Sequence, residues 1–311
     1  TMTERALIDR VDVWHVAMPY KATMRSSRGS LVHGEKVVLR IGTNDGATGL
    51  GEASVIFPGR SGESAGTIFV ALRDLFGPRL LGRDALQFNQ LMADLNTACS
   101  EQYAFLGSLC AVDLALHDLT ARRCNLSVAD YLGGARRESM KLSRSLSIQA
   151  TAPLVQSALS CTEQGYSLLT LKGSADVRSD IAQFLAVRAA LPAEIGLEID
   201  PNQAWTAKGT LEVDRALAGT GLVCIEQPCA WWDLDAMRFV TERARAPIVA
   251  DESVLSPADA LQVIKRGAAD QINLKLAKSG GIRNSAIILE AARAAGLGCN
   301  MGSKHTLGVG T

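Results

Sequence analysis

Four short apolar runs, each ending in a charged residue, recur along one stretch: IGLEID (195–200), LVCIE (222–226), PIVAD (247–251) and QINLK (271–275). Polar segments with helical periodicity separate these runs. The charged ends recur about every 25 residues, which is the length of one strand–helix unit. This rhythm predicts parallel strands that deliver charged side chains to one face of a barrel, around a metal ion.

The alternation of strands and helices extends on both sides of this stretch. Seven strands are predicted: Leu142–Ile148, Leu168–Lys172, Ile195–Asp200, Val223–Glu226, Ile248–Asp251, Gln271–Lys275 and Gly298–Ser303. Helices follow the first six: Ala152–Gln164, Val177–Leu191, Lys208–Ala218, Leu234–Arg245, Pro257–Arg266 and Ile282–Ala295. Such alternation is typical of a parallel α/β sheet with helices outside it. A closed barrel of this type needs eight strands, so we expect the sequence to lack a C-terminal part of the barrel or to omit a tail.

The N-terminal part has a different order of predicted strands and helices. A first strand (4–18) and a hairpin around GTNDGATG (42–49) precede three helical patterns: Glu63–Phe76, Leu86–Asn96 and Ser108–Arg123. Strands followed by helices indicate an α+β unit. The polar, Ser- and Gly-rich segment Pro19–His33 is predicted to form a mobile loop. We therefore predict an N-terminal α+β domain over residues 1–130 and a barrel domain over 131–311.

Composition excludes several classes of protein. The 311 residues contain 32 Lys and Arg against 32 Asp and Glu, which argues against nucleic acid or an anionic membrane as partner. No apolar run is long enough to span a bilayer, and the N-terminus lacks a secretory signal pattern. Seven scattered cysteines without a C-x-x-C pair predict reduced thiols in a cytoplasmic protein.

Three carboxylates lie at the predicted ends of consecutive strands: Asp200, Glu226 and Asp251. Side chains at these positions converge in βα barrels, and three carboxylates in one place repel unless a cation lies between them. Oxygen ligands favour Mg²⁺, which completes its coordination with water or substrate. The alternative for any single acid is a helix N-cap. Glu252 follows Asp251 and is predicted either to support the metal site or to cap a helix.

Two lysines complete the constellation. Lys172 and Lys275 end the second and sixth barrel strands, which lie on opposite sides of the acid-bearing strands. A lysine acts as a base when burial and neighbouring cations depress its pKa, so these two are candidate acid/base groups, with solvated charge as the alternative. Lys278 lies just past the sixth strand and is predicted to be on the surface or at a helix start.

The charged strand ends resemble those of the enolase superfamily, specifically its muconate-lactonizing subgroup. The matching segments are LTLKG (169–173), IDPNQAW (199–205), IEQP (225–228), ADES (250–253) and NLKLAKSGGI (273–282). The resemblance implies a modified (β/α)7β barrel of the TIM-like type, an N-terminal capping domain, and a homo-oligomer. It also implies that Asp200, Glu226 and Asp251 bind Mg²⁺, with Asn202 near the metal and Lys172 and Lys275 as the acid/base pair.

The resemblance implies an isomerase that removes a proton next to a carboxylate through an enediolate. The expected substrate is a small carboxylate, and racemisation or epimerisation of an amino-acid derivative is favoured. The alternatives are a muconate-type cycloisomerase and a homologue that binds metal and carboxylate with impaired turnover. The Pro19–His33 loop would close over substrate, where Arg25 and Arg28 could bind a second carboxylate or only water.

One position departs from the family pattern. The second barrel strand usually carries Lys-x-Lys, but here Thr170 stands in place of the first lysine. Like-charge repulsion from that lysine would depress the pKa of the second, so Lys172 is expected to act better as an acid or an electrostatic stabiliser than as a base. His305 is a secondary candidate base, since Lys275 assigns the chain to the lysine type.

Overall fold

The computed structural model describes residues 5–55, 62–99, 105–303 and 306–307. The N-terminal part contains an antiparallel sheet of order β1-β2-β3, built from Ile8–Ser26, Gly29–Thr43 and Thr48–Val55. Its helices are α1 (Ala65–Val70), a π-helical segment (Ala71–Phe76), α2 (Gly77–Leu80), α3 (Phe88–Ala98), α4 (Leu106–Arg123) and α5 (Val128–Tyr131). The predicted α+β character is confirmed for these residues.

One face of the three-stranded sheet packs on α4. Val37, Leu39 and Ile41 alternate along β2 with more exposed residues and form one core with the apolar residues of α4. β3 approaches α4 at backbone distance, since a Cβ placed on Gly51 would lie 1.8 Å from the Ala111 carbonyl oxygen. Glycine is therefore required at this crossing, because any side chain would push the helix off the sheet.

The predicted Pro19–His33 loop is wrong. β1 and β2 continue as a long hairpin through this segment, with Pro19 opposite His33 and Ser26 opposite Gly29. A register shift between Pro19 and Met24 accommodates the proline, which cannot donate a ladder hydrogen bond. The strand could not be recognised from the sequence, because both of its faces are polar and it has no alternation of apolar and polar residues. Backbone hydrogen bonds pair such strands without that alternation.

The tip of this hairpin contacts the C-terminal part of the chain. Ser27 Oγ donates to the Pro201 carbonyl oxygen at 3.0 Å, and the Ile148 amide donates to the Arg25 carbonyl oxygen at 3.1 Å. These bonds bring the hairpin tip to the ends of the barrel strands.

The second part is a seven-stranded parallel sheet in sequential order from β4 to β10. The strands are β4 (Ser143–Leu146), β5 (Leu168–Lys172), β6 (Gly196–Asp200), β7 (Leu222–Glu226), β8 (Ile248–Ala250), β9 (Gln271–Leu274) and β10 (Gly298–Met301). Its helices are α6 (Thr151–Glu163), α7 (Val177–Ala190), α8 (Ala207–Ala216), α9 (Leu234–Thr241), α10 (Pro257–Arg266), α11 (Leu276–Ser279) and α12 (Ile282–Ala294). The seven predicted strands and six predicted helices are all present, and α11 is an addition.

The core of this sheet is separate from that of the N-terminal part and contains buried aliphatic residues from every strand between β4 and β9. All seven cysteines carry free thiols, as predicted. Within the described part of the chain, no helix is long and apolar enough to cross a membrane.

Helix α4 joins the two parts through a buried carboxylate. Asp113 Oδ2 accepts a 2.6 Å hydrogen bond from the amide of Ile282, the first residue of α12. His117, one turn along α4, places Nδ1 3.3 Å from the same oxygen. Burial opposes the charged imidazole, but the hydrogen bond and the charge of Asp113 outweigh it and raise the pKa of His117. The rings of Phe88 and Tyr131 contact His117 edge-on.

Replacement of His117 by glutamine is expected to make stability less dependent on pH. The pKa of His117 is raised above its ordinary value of 6.5, so its ion pair stabilises the fold fully below that value. This contribution is lost as pH rises through the folded-state pKa. Urea unfolding near pH 5.5 should show a loss of about 1–2 kcal/mol in His117→Gln, shrinking at about pH 9. A loss of equal size at both pH values would contradict the ion pair.

Candidate active site

The charged residues named from the sequence lie at one edge of the parallel sheet. Lys172, Asp200 and Glu226 are the last residues of β5, β6 and β7, while Asp251 and Lys275 directly follow β8 and β9. Parallel strands present their carboxyl ends at the same edge, which is why residues far apart in sequence meet here. The structure brings all five together in one cluster.

The outer carboxylates of the cluster are paired with lysines. Lys172 Nζ donates to Asp200 Oδ2, and Lys275 Nζ donates to Asp251 Oδ2. Burial opposes both ammonium charges, but the surrounding carboxylates outweigh it and raise the pKa of each lysine. Burial likewise opposes the Asp251 charge, yet the nearby ammoniums hold the pKa of that carboxyl well below its usual range.

Glu226 lies between the two pairs and has less compensation. Asn273 Nδ2 donates to its Oε1 at 2.6 Å, while Lys275 Nζ lies 3.8 Å from the same oxygen. Burial, together with the charge of Asp200, raises the pKa of Glu226 to about 8. The middle carboxylate of the row is therefore less closely paired with an ammonium than its two neighbours are.

Asn202 bridges two acids of the site. Its backbone amide donates to Asp200 Oδ1 at 2.9 Å, and its Nδ2 lies 3.1 Å from Asp200 Oδ2 and 3.3 Å from Glu252 Oε1. The residue adopts a left-handed conformation (φ +48°), which asparagine tolerates better than most residues. Glu252 faces this cluster and caps no described helix, and Arg28 of the hairpin tip approaches it at 3.9 Å.

Lys278 is buried beside Asp251. The prediction of a surface position is wrong, because its side chain is only 3% exposed. Its Nζ donates to Asp251 Oδ1 at 2.7 Å and to the Asp251 carbonyl oxygen at 2.6 Å. The short helix α11 turns this residue back toward the site three positions after Lys275. That spacing, one helical turn, is the signal that could have revealed it.

Thr170, in place of the usual lysine, belongs to a buried polar network. Its hydroxyl donates to Glu198 Oε2 at 2.7 Å and lies 2.6 Å from Ser143 Oγ. The Cys224 thiol contacts the other Glu198 oxygen at 3.6 Å. The residue two positions before Lys172 is thus a neutral threonine that contacts a carboxylate and neutral groups. It places no ammonium beside Lys172.

Gln227 fixes the loop that carries Asp251. Its Oε1 accepts hydrogen bonds from the amides of Asp251 (2.8 Å) and Ser253 (3.0 Å). Its Nε2 donates to Ser253 Oγ at 2.8 Å and to the Cys229 carbonyl oxygen at 3.1 Å. The fully buried amide has every bond direction used, and its bonds connect the end of β7 to the loop after β8.

The donor set suits a hard divalent cation. Asp200, Glu226 and Asp251 supply carboxylate oxygens, and the raised pKa of Glu226 marks a shortage of positive charge. Glu252 Oε2 is buried without a hydrogen-bond partner in the described part of the chain. Across those same residues, no three acidic, His or Cys side chains stand in metal-binding geometry. Lysines are paired with the two outer carboxylates. His305 lies outside the described residues.

Comparison with known proteins agrees with this arrangement. A family model described as "Mandelate racemase / muconate lactonizing enzyme, N-terminal domain" matches residues 8–133, and one described as "Enolase C-terminal domain-like" matches residues 154–311. The chain is 31% identical to L-Ala-D/L-Glu epimerase of Bacillus subtilis over 302 residues, covering 95% of this chain and 80% of that protein. It is also 31% identical to muconate cycloisomerase 1 of Rhodococcus opacus over 305 residues, covering 96% and 80% respectively.

A solved structure gives the same result. The dipeptide epimerase of Enterococcus faecalis V583, complexed with Mg and the dipeptide L-Leu-L-Tyr, superposes with a TM-score of 0.90 at 28% identity. The match covers 96% of this chain and 82% of that one. Fold and site together define a capped, TIM-like α/β-barrel isomerase. The chain belongs to the mandelate racemase/muconate lactonizing enzyme family of the enolase superfamily, in its muconate-lactonizing subgroup.

Proposed function

We propose that this protein is a Mg²⁺-dependent racemase or epimerase of an N-acylated amino acid or dipeptide. The observation that carries the proposal is the pair of lysines, Lys172 and Lys275, on strands β5 and β9 that flank the carboxylate-bearing strands β6 to β8. An amine on each side of a substrate carbon allows one to remove a proton and the other to return it, which inverts the carbon.

The carboxylates of Asp200, Glu226 and Asp251 would hold the ion. Mg²⁺ bound there would stabilise the negative charge that develops on the substrate carboxylate when the neighbouring proton leaves. Lys172 and Lys275 occupy oxygens of two of these ligands. A lysine that releases its carboxylate can turn toward the substrate carbon.

Two kinds of support favour an amino-acid derivative. Similar proteins include an L-Ala-D/L-Glu epimerase and a hydrophobic dipeptide epimerase, which are 31% and 30% identical to this chain. The hairpin tip also places Arg28 beside Glu252 at the edge of the charged cluster. A muconate-type cycloisomerase is the alternative, supported by a relative of equal identity. A homologue with impaired turnover is a further alternative, motivated by Thr170.

A substrate panel separates these functions. Purified protein with Mg²⁺ should epimerise at least one dipeptide or N-acyl amino acid, detected by chiral chromatography. Lactone formation from muconate, followed by ultraviolet absorbance, would favour the cycloisomerase instead. Absence of both activities alongside intact Mg²⁺ binding would favour the homologue with impaired turnover.

Arg28 is expected to set the preference for acidic substrates. Its guanidinium lies 3.9 Å from Glu252 at the edge of the charged cluster, and a guanidinium in that position binds a substrate carboxylate through charge-assisted hydrogen bonds. Arg28→Met should lower kcat/KM for dipeptides that end in Glu by about 10-fold or more and change that for Leu-ended dipeptides by less than about twofold. Arg10→Met, at the far end of β1, is the matched control. Equal losses on both substrates would contradict this role.

A further inference from the structure

Asn273 is a buried amide that contacts the middle carboxylate of the row. It lies on β9, two residues before Lys275, and is only 7% exposed. Its Nδ2 lies 2.6 Å from Glu226 Oε1. In the described part of the chain this is the one hydrogen bond made to the Glu226 carboxylate.

The other two carboxylates of the row are held by several donors each. Asp200 receives bonds from Lys172 and from both the backbone and side chain of Asn202. Asp251 receives bonds from Lys275 and Lys278. Asp200 and Asp251 would each keep a hydrogen bond if one donor were lost. Among the described residues, Glu226 would keep none without Asn273, so its orientation depends mainly on Asn273.

The amide of Asn273 is itself confined. A Cβ on Gly302, at the end of β10, would lie 2.6 Å from Asn273 Oδ1 and 2.8 Å from Lys275 Cε. The space beside the Asn273 amide and the Lys275 side chain is therefore too small for any residue larger than glycine at position 302. Asn273 Oδ1 has no hydrogen-bond partner within the described ranges, so Glu226 alone decides which way the amide points. The reverse orientation would bring the amide oxygen against a carboxylate oxygen.

We propose that Asn273 is a positioning residue that holds the Glu226 carboxylate for metal binding. This inference rests on the proposed function, because it assigns Glu226 as a ligand of Mg²⁺. Groups that orient metal ligands commonly contribute 10- to 100-fold to metal affinity. Asn273 was not predicted as a site residue, because the segment NLK (273–275) has the pattern of an apolar strand end in which only Lys275 is charged.

The test is Mg²⁺ affinity, measured by titration calorimetry on the whole chain. Asn273→Leu removes the donor at similar volume, and Asn273→Ser keeps a polar group that is too short to reach Glu226. Both should bind Mg²⁺ about 10- to 100-fold more weakly than the unmodified protein. Asn96→Leu is the matched control, since Asn96 Nδ2 donates to a carbonyl oxygen in helix α3. It should bind Mg²⁺ within about twofold of the unmodified affinity.

A second comparison distinguishes positioning from general structural support. In a Glu226→Ala background, Asn273→Leu should change Mg²⁺ affinity by less than about twofold, because the group that it orients is gone. An undiminished effect in that background would overturn the inference. Unchanged affinity in folded Asn273→Leu and Asn273→Ser would overturn it as well, while leaving the proposed function in place. Failure of the unmodified protein to bind Mg²⁺ would overturn both.

Discussion

Lys172→Ala is expected to lower turnover by about 10²- to 10⁴-fold, the usual contribution of a positioned acid or base. Mg²⁺ affinity should stay within a few-fold, because Asn202 continues to bind both oxygens of Asp200. Lys275→Ala should lose turnover to a similar extent, while Lys278 still neutralises Asp251. Steady-state epimerisation and a parallel Mg²⁺ titration measure the two effects.

The single-lysine variants should also differ in stereochemistry. If each lysine removes the proton from one face of the substrate carbon, each variant retains a lysine that can remove the proton of one enantiomer only. We therefore expect proton exchange from one enantiomer in Lys172→Ala and from the other in Lys275→Ala. Lys208→Ala, on the exposed surface of α8, is the control and should retain full activity. Epimerisation by Lys172→Ala at the rate of the unmodified protein would show that the two-lysine assignment is wrong.

Asp251→Asn is expected to cause the largest combined loss of stability and metal binding. The carboxylate neutralises two lysines, Lys275 and Lys278, and the second of these is 3% exposed. Removal of one partner from a buried ion pair costs about 3–5 kcal/mol, because the other charge is left uncompensated. Urea unfolding should show this loss, and Mg²⁺ titration should show an affinity weaker by at least about 10-fold.

Two further variants make this result specific. Lys278→Met in the Asp251→Asn background should recover part of the lost stability, because it removes the uncompensated charge. Asp233→Asn is the matched control, since Asp233 caps helix α9 by accepting from the Ala236 amide. Its loss should not exceed about 1–2 kcal/mol, with metal affinity unchanged. A mild effect in Asp251→Asn would show that Lys278 does not depend on this carboxylate.

The barrel was predictable because its signal is periodic. Continuous apolar runs that end in Asp200, Glu226 and Asp251 carry both the strand and its functional residue, so one pattern yields fold and cluster together. The hairpin through Pro19–His33 was not predictable, since its pairing depends on backbone hydrogen bonds rather than on side-chain alternation.

The parts of the cluster that escaped prediction are those defined by tertiary packing. Lys278 reads as a surface lysine until α11 turns it under Asp251. Glu198 reads as one charge in an apolar strand until Thr170 and Ser143 are placed against it. Gln227 and Asn273 carry no charge, and their roles follow only from the donors and acceptors that surround them.

Removal of the substrate α-proton by the protein can be measured by deuterium exchange. The protein is incubated with Mg²⁺ and a single enantiomer of a dipeptide substrate in D₂O, and the α-proton is followed by proton NMR. We expect the α-proton signal to disappear as the opposite epimer accumulates with deuterium at that carbon. Epimerisation without deuterium uptake, or no exchange with any N-acyl amino acid or dipeptide despite intact Mg²⁺ binding, would contradict it.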